Sequence, residues 1–157
     1  MQQSYLTAIH LIERLHRQFL EVIKSELERL QVDDINNIQA LILFNIGKDT
    51  MTVGELTHRG YYLGSNVSYN VKKMTEHGYI VQQQSPHDKR SIRVKLSDKG
   101  LKLWDSINDM FAKHSEALST SEVDLEDLKE CNQVFHKLES FWSDVLNRAG
   151  VSPFSGF

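Results

Sequence analysis

Asp88-Lys89-Arg90 sets a carboxylate two residues before a guanidinium, within the polar, proline-broken stretch Ser85-Pro86-His87-Asp88-Lys89-Arg90. A carboxylate can hold a guanidinium flat, and a flat cation suits a narrow groove of negative potential. The plainer reading of the same residues is a solvated turn carrying a weak surface ion pair. A second group lies upstream. If Val67, Val71 and Met74 share the inward face of a helix, about 100° of rotation per residue puts Ser65, Tyr69, Lys72 and Lys73 opposite, with Asn66 beside them. Small hydroxyl and amide groups can read base edges, and lysine neutralises phosphate. An amphipathic surface helix with no partner would also carry Ser, Asn and Lys. In both groups the chemistry is recognition of a polyanion rather than the making or breaking of bonds.

Other chemistry is poorly represented. The chain holds no phosphate-cradling glycine loop, no G-x-S-x-G and no H-E-x-x-H, so an enzyme is not expected. Its seven histidines are scattered: His10 and His16 are six apart, and His58, His77, His87, His114 and His136 fall in different segments, with no metal-ligand spacing. No metal or other cofactor is expected. The one cysteine, Cys131, excludes an internal disulfide. It reads as a packing residue on a helix, with oxidant sensing the less favoured alternative, although Lys129 and His136 could approach it.

A net charge of −3 over 157 residues conceals a pattern. Residues 1–49 carry five basic and seven acidic side chains (−2), residues 50–96 seven basic and three acidic (+4), and residues 97–157 six basic and eleven acidic (−5). A basic middle between acidic flanks is the asymmetry expected when only the central segment meets a polyanion. The longest apolar run, Ala40 to Phe44, is far short of the ~20 residues a membrane span needs. With no basic n-region followed by an apolar stretch at the start, the expected setting is the cytoplasm, with no membrane partner.

The elements that must position these groups follow from periodicity. Tyr5, Ile9, Ile12, Phe19, Ile23, Leu27 and Leu30 recur at helical steps, and Leu6, Leu11, Leu15, Leu20 and Val22 widen the stripe beyond the needs of one small core. An overly wide apolar face implies a second packing surface. Asp33 or Asp34 is the expected cap of a second helix ending at Gly47. Thr52 and Glu55 have capping-box spacing for a short third helix ending at Gly60, and a fourth begins near Ser65 and stops at Gly78. The period then changes from 3.6 to 2, giving strand-like runs at 79–84 and 91–96 around the charged turn. Ser97 caps a helix with Leu101, Leu103, Trp104, Ile107, Met110 and Phe111 as its apolar set. A last helix, expected after a cap within Ser119–Glu122, carries Leu125, Leu128, Val134, Phe135, Leu138, Phe141, Trp142 and Val145, and the tail from Gly150 to Phe157 reads as loose. Two short helices, a tight turn between them and a following hairpin make a winged helix-turn-helix, whose second helix enters the major groove.

The ordered set Val67-Ser68-Tyr69-Asn70-Val71-Lys72-Lys73-Met74, His77-Gly78-Tyr79-Ile80, Asp88-Lys89-Arg90-Ser91 and Val94-Lys95-Leu96-Ser97-Asp98-Lys99-Gly100 resembles the MarR-type winged-helix transcriptional regulators. These stretches look like the family's recognition helix, its Asp-x-Arg wing and the Leu-Ser/Thr-x-x-Gly start of the next helix. The resemblance spans nearly the whole chain. It implies a mainly α fold with a small β-hairpin wing, arranged as a single domain over 1–157. Residues 34–97 would form the winged-helix DNA-binding lobe, and 1–30 and 98–148 the dimerisation helices. It implies a homodimer on a pseudo-palindromic duplex operator, with Ser65, Asn66, Ser68, Tyr69, Lys72 and Lys73 toward the major groove and Asp88, Lys89 and Arg90 in the wing. A small aromatic or phenolic effector would set occupancy. A winged-helix protein-interaction module without DNA binding is the alternative. Where family wings are often rich in arginine, this chain has Gln82, Gln83 and Gln84, which predicts fewer phosphate contacts and less salt-sensitive binding.

Overall fold

The computed structural model describes residues 1–60, 64–84 and 91–150, with the side chain of Ser65 outside that description. Nine elements follow in order: α1 (Gln2–Arg29), α2 (Asn37–Ile46), β1 (Met51–Thr52), α3 (Val53–Gly60), α4 (Gly64–Glu76), β2 (Ile80–Gln84), β3 (Ile92–Leu96), α5 (Asp98–Ser119) and α6 (Leu125–Arg148). The turn expected at Tyr61-Tyr62-Leu63 and the tail beyond Gly150 lie outside the described residues.

α2 is the hub. Its sequence is apolar on nearly every side, which suits a helix surrounded by other elements, and Gln39, Ala40, Ile42, Leu43 and Ile46 are all buried. Around it gather Ile23 and Leu27 of α1, Leu56 of α3, Val67, Val71 and Met74 of α4, Val94 and Leu96 of β3, and Leu103, Ile107 and Met110 of α5. An aromatic ladder extends this core: Phe44 stacks on Trp104 at 5.5 Å and meets Phe111 edge-on at 5.0 Å, and Phe111 stacks on Phe19 at 6.0 Å. The Trp104 indole N–H donates to the Phe44 carbonyl at 3.1 Å, so the ring enters the interior with its polar atom satisfied.

The sheet has the order β1-β3-β2, both pairings antiparallel. The hairpin strands match expectation, with Gln82 opposite Val94 and Gln83 opposite Arg93. β1 was not foreseen. It is only two residues long, too short for any alternation to register, and it exists because Met51 and Thr52 pair with Val94 and Arg93.

Two caps differ from the sequence reading. α2 is capped by Asn36, not by Asp33 or Asp34. The Asn36 side chain accepts from the Gln39 N–H at 2.9 Å while the Gln39 side chain accepts from the Asn36 N–H at 3.0 Å. That reciprocal box satisfies two helix-end donors at once, which a lone aspartate cannot. The final helix is capped by Asp124 rather than within Ser119–Glu122, again through a box, here with Asp127. The boxes expected at Thr52/Glu55 and the Ser97 cap are present: Thr52 and Glu55 bond reciprocally at 2.6 and 3.1 Å, and Ser97 accepts from the Gly100 N–H.

The long helices bury little. In α1 only Ile23, Glu26 and Leu27 are buried, and Tyr5, Leu6, Leu11, Leu15, Phe19 and Val22 are exposed. No residue of α6 is buried, and Leu125, Leu128, Val134, Phe135, Phe141, Val145 and Leu146 face outward. No helix among the described residues is long and apolar enough to cross a membrane.

Candidate nucleic-acid interface

α3 and α4 are the two short helices of a helix-turn-helix, and the hairpin follows α4 directly. Val67, Val71 and Met74 are fully or almost fully buried, as their spacing requires, and they fix the rotation of α4 about its axis. What remains outside is its polar face. Asn66, Ser68, Tyr69 and Lys72 are exposed, with Tyr69 at 61% accessibility near the middle of that face. A tyrosine left this open near the middle of a polar helix face serves no packing role in the chain.

Lys73 sits half-open on the flank and donates to the Glu76 carboxylate at 3.0 Å, three residues on. That bond raises the lysine's pKa and, with the lysine's charge, lowers the glutamate's. Sequence reasoning missed Glu76, although the same 100° rotation places it almost opposite Val67 and hence on the outward face. Two lysines against one glutamate leave α4 with a net charge of +1.

Asn70 points inward from this face. Its amide donates to the Asn66 carbonyl at 2.8 Å and its oxygen accepts from Gln39 at 3.1 Å. Gln39 is buried, so the residue that closes the cap of α2 also holds the middle of α4. Nothing in the sequence pattern marks this pairing, since its partners are 31 positions apart.

The C-terminal end of α4 closes with Gly78 at φ 80°: the Gly78 N–H reaches back to Thr75 and the Tyr79 N–H to Met74, a turn that needs a left-handed residue at this place. From there β2 leaves toward the wing. Gln82 donates to the Thr75 hydroxyl at 3.1 Å, which ties the first wing strand to the side of α4. On β3, Arg93 donates to the Thr50 carbonyl at 3.3 Å while its buried Nε finds no partner among the described residues. The wing-tip residues singled out in the sequence, Asp88, Lys89 and Arg90, lie outside the described residues, as does the Ser65 side chain.

Cys131 is exposed, which corrects its reading as a packing residue within the chain. Its presumptive activating neighbours are engaged elsewhere: Lys129 pairs with Glu126 at 3.2 Å and His136 lies 3.4 Å from Glu139.

Comparison with known proteins agrees with this geometry. Residues 35–100 match the family described as the winged helix DNA-binding domain. The exopolysaccharide II synthesis transcriptional activator ExpG of Rhizobium meliloti (strain 1021) is 37% identical over 148 residues, covering 94% of this chain and 76% of that protein. Among solved structures, the transcriptional regulator SlyA superposes with a TM-score of 0.76 at 14% identity, over 90% of this chain and 98% of that one. A mutant MarR from E. coli complexed with operator DNA superposes at 0.71 and 17% identity, over 86% and 95% of the two chains. The chain belongs to the MarR family of winged-helix transcriptional regulators.

Proposed function

We propose that this regulator works as a homodimer that sets two copies of α4 into successive major grooves of a pseudo-palindromic operator, about 34 Å apart. The exposed Tyr69-centred face of α4, fixed in rotation by three buried residues, is the observation that carries the reading. Asn66, Ser68 and Tyr69, with Ser65 in the first turn, would read base edges, and Lys72 would neutralise phosphate, with a smaller share from Lys73 because Glu76 already holds it. Arg90, oriented by Asp88 and flanked by Lys89, would enter the minor groove from the wing. Residues 34–97 form the reading lobe in this scheme, and 1–30 and 98–148 hold the two copies together. Acting on chromosomal DNA, the protein would work in the cytoplasm and needs no catalytic group.

Dimerisation is supported by α1 and α6, whose exposed apolar side chains are left uncovered among the described residues. Control by a small aromatic or phenolic effector is supported by a cleft of about 640 Å³ beside the end of α1, where Leu27, Val32 and Ile35 offer an apolar wall. It lies where α1 passes into the reading lobe. A ligand there would change the spacing of the two α4 helices by moving one against the other.

Fluorescence anisotropy tests the core of this reading. The probe is the duplex from upstream of the protein's own gene, with genomic fragments in reserve, set against a scrambled duplex over a salt series. A preference of roughly a thousandfold or more, weakening as salt rises, is expected. Arg90→Ala should lower that preference. Absence of binding to any duplex at low salt would overturn the reading and favour a protein-interaction module.

A further inference from the structure

The turn that ends α4 is held by the turn that begins α5. Three successive carbonyls, those of His77, Gly78 and Tyr79, each accept a hydrogen bond from the start of α5: Lys99 Nζ at 2.9 Å, Ser97 Oγ at 2.5 Å and the Ser97 N–H at 3.0 Å. Carbonyls at a helix C-terminus lack partners within their own helix, and a cation there also meets the negative end of the helix dipole. Gly100 completes the fit, since a Cβ at that position would lie 2.3 Å from the Tyr79 carbonyl oxygen. Backbone therefore meets backbone with no side chain between them.

A third segment closes the joint. Asp34, in the connection between α1 and α2, accepts from the Tyr79 hydroxyl at 2.6 Å and from Lys99 Nζ at 2.7 Å. The Lys99 ammonium also sits 4.0 Å from the centre of the Tyr79 ring. Tyr79 is buried and Asp34 and Lys99 are partly open, so the cluster reaches from the core to the surface. One carboxylate, one phenol and one ammonium thus join the exit of α1, the end of α4 and the first turn of α5. The same connection ends in Asn36, whose capping partner Gln39 holds Asn70 in the middle of α4. These contacts tie α4 to the exit of α1 and to the first turn of α5.

We infer that Asp34, Tyr79 and Lys99 are positioning residues for duplex recognition, setting the angle at which α4 leaves the long helices without touching DNA themselves. This rests on the reading of α4 as the helix that meets DNA. A cluster that served stability alone would change the melting temperature and leave sequence preference intact. A lysine that touched phosphate directly would lower affinity for every duplex alike.

The test uses the full-length protein with a duplex that the wild type has selected from a random pool, and a scrambled duplex of the same composition. Tyr79→Phe and Lys99→Met should each lower the preference for the selected duplex by about tenfold or more. Affinity for the scrambled duplex and the salt slope should stay at wild-type values, and Lys99→Arg, which keeps a cation and donors, should retain the preference. Tyr69→Ala and Lys72→Ala serve as controls on α4. If these weaken binding while Tyr79→Phe and Lys99→Met keep full preference, the positioning role falls and the reading of α4 stands. If all four bind as wild type does, both fall. An equal loss on both duplexes with a shallower salt slope for Lys99→Met makes Lys99 a direct phosphate contact and also overturns the inference. Tyr79→Phe removes one oxygen and leaves the ring in place, so it keeps the question answerable should Lys99→Met fold poorly.

Discussion

Trp142 donates its indole N–H to the Tyr5 hydroxyl at 3.0 Å, across 137 positions of sequence. This single bond brings the start of α1 beside the later turns of α6, the two helices with the most exposed apolar side chains. The apolar residues around this contact, at the start of α1 and in the later turns of α6, therefore belong to a shared region.

That region should govern self-association. Phe141 is 54% exposed in the single chain, and Phe141→Asp should weaken the dimer by about 2 kcal/mol or more, roughly thirtyfold in dissociation constant. Analytical ultracentrifugation over a concentration series checks it. The wild type should sediment at twice 18.1 kDa and the variant should dissociate at higher concentration, with its helical circular dichroism unchanged. A wild type that stays at 18.1 kDa at every concentration would remove the dimer from the scheme.

Lys72 and Lys73 are adjacent, yet their effects on DNA binding should differ. Lys72 is exposed and forms no ion pair within 4 Å among the described residues, so Lys72→Ala should reduce the slope of log affinity against log salt by about 1. Lys73 is already bonded to Glu76, so Lys73→Ala should change the slope by clearly less. Equal slopes for the two variants would mean that the ion pair opens at no cost on the DNA.

Asp34 gives stability a pH dependence of defined sign. Burial opposes its charge, but the hydrogen bonds from Lys99 and Tyr79 outweigh burial and hold the carboxyl below its ordinary 3.8. Burial, and then the bond to Asp34, push the Tyr79 hydroxyl up, so it stays protonated and donating over the whole acid range. With the folded value depressed, the contribution of Asp34 is whole above the unfolded pKa and disappears as pH falls through the folded one. The stability difference between wild type and Asp34→Asn should therefore be constant from about pH 7 to about pH 5 and shrink from there toward pH 2. Urea midpoints at fixed protein concentration measure it. A difference that does not change with pH would assign the effect to shape and not to charge.

Gly100→Ala tests the close approach of α5 to the α4–β2 turn. The new methyl would meet a backbone carbonyl rather than a yielding side chain, so the two turns must move apart. Overpacking of this kind costs about 1–3 kcal/mol, read as a lower urea midpoint. A variant as stable as wild type would show that the joint has slack.

Much of the reading lobe was legible in the sequence because its signals are local. Val67, Val71 and Met74 announce the inward face of α4 by spacing alone, Thr52 and Glu55 declare the start of α3, and Ser91 to Leu96 alternate as a strand must. The misreadings came from residues with distant partners. Asp34 looked like a cap because it is an aspartate before a helix, but its bonds go to Tyr79 and Lys99, 45 and 65 positions away. The Asn36–Gln39 box has the right spacing in the sequence, but a neighbouring acid offers an equally plausible cap until the bonds are seen. β1 could not be seen in two residues, because only its pairing with β3 defines it. Glu76 is legible on the helical wheel, nine positions from the inward Val67 and so on the outward face beside the lysines. The apolar residues of α6 were correctly seen, yet periodicity cannot say whether a stripe meets its own chain or another surface.

The pairing of Lys73 with Glu76 bears on how such a protein finds its target. With a net charge of only +1 on α4, and three glutamines where the wing begins, these two elements present little positive charge to phosphates in general, and the rest of the basic middle segment must supply it. Sliding along a duplex depends on that sequence-blind attraction. If α4 is the helix that meets DNA, a face this weakly charged would hold random DNA only briefly, so that dwell time would be reserved for sites where side chains and bases match.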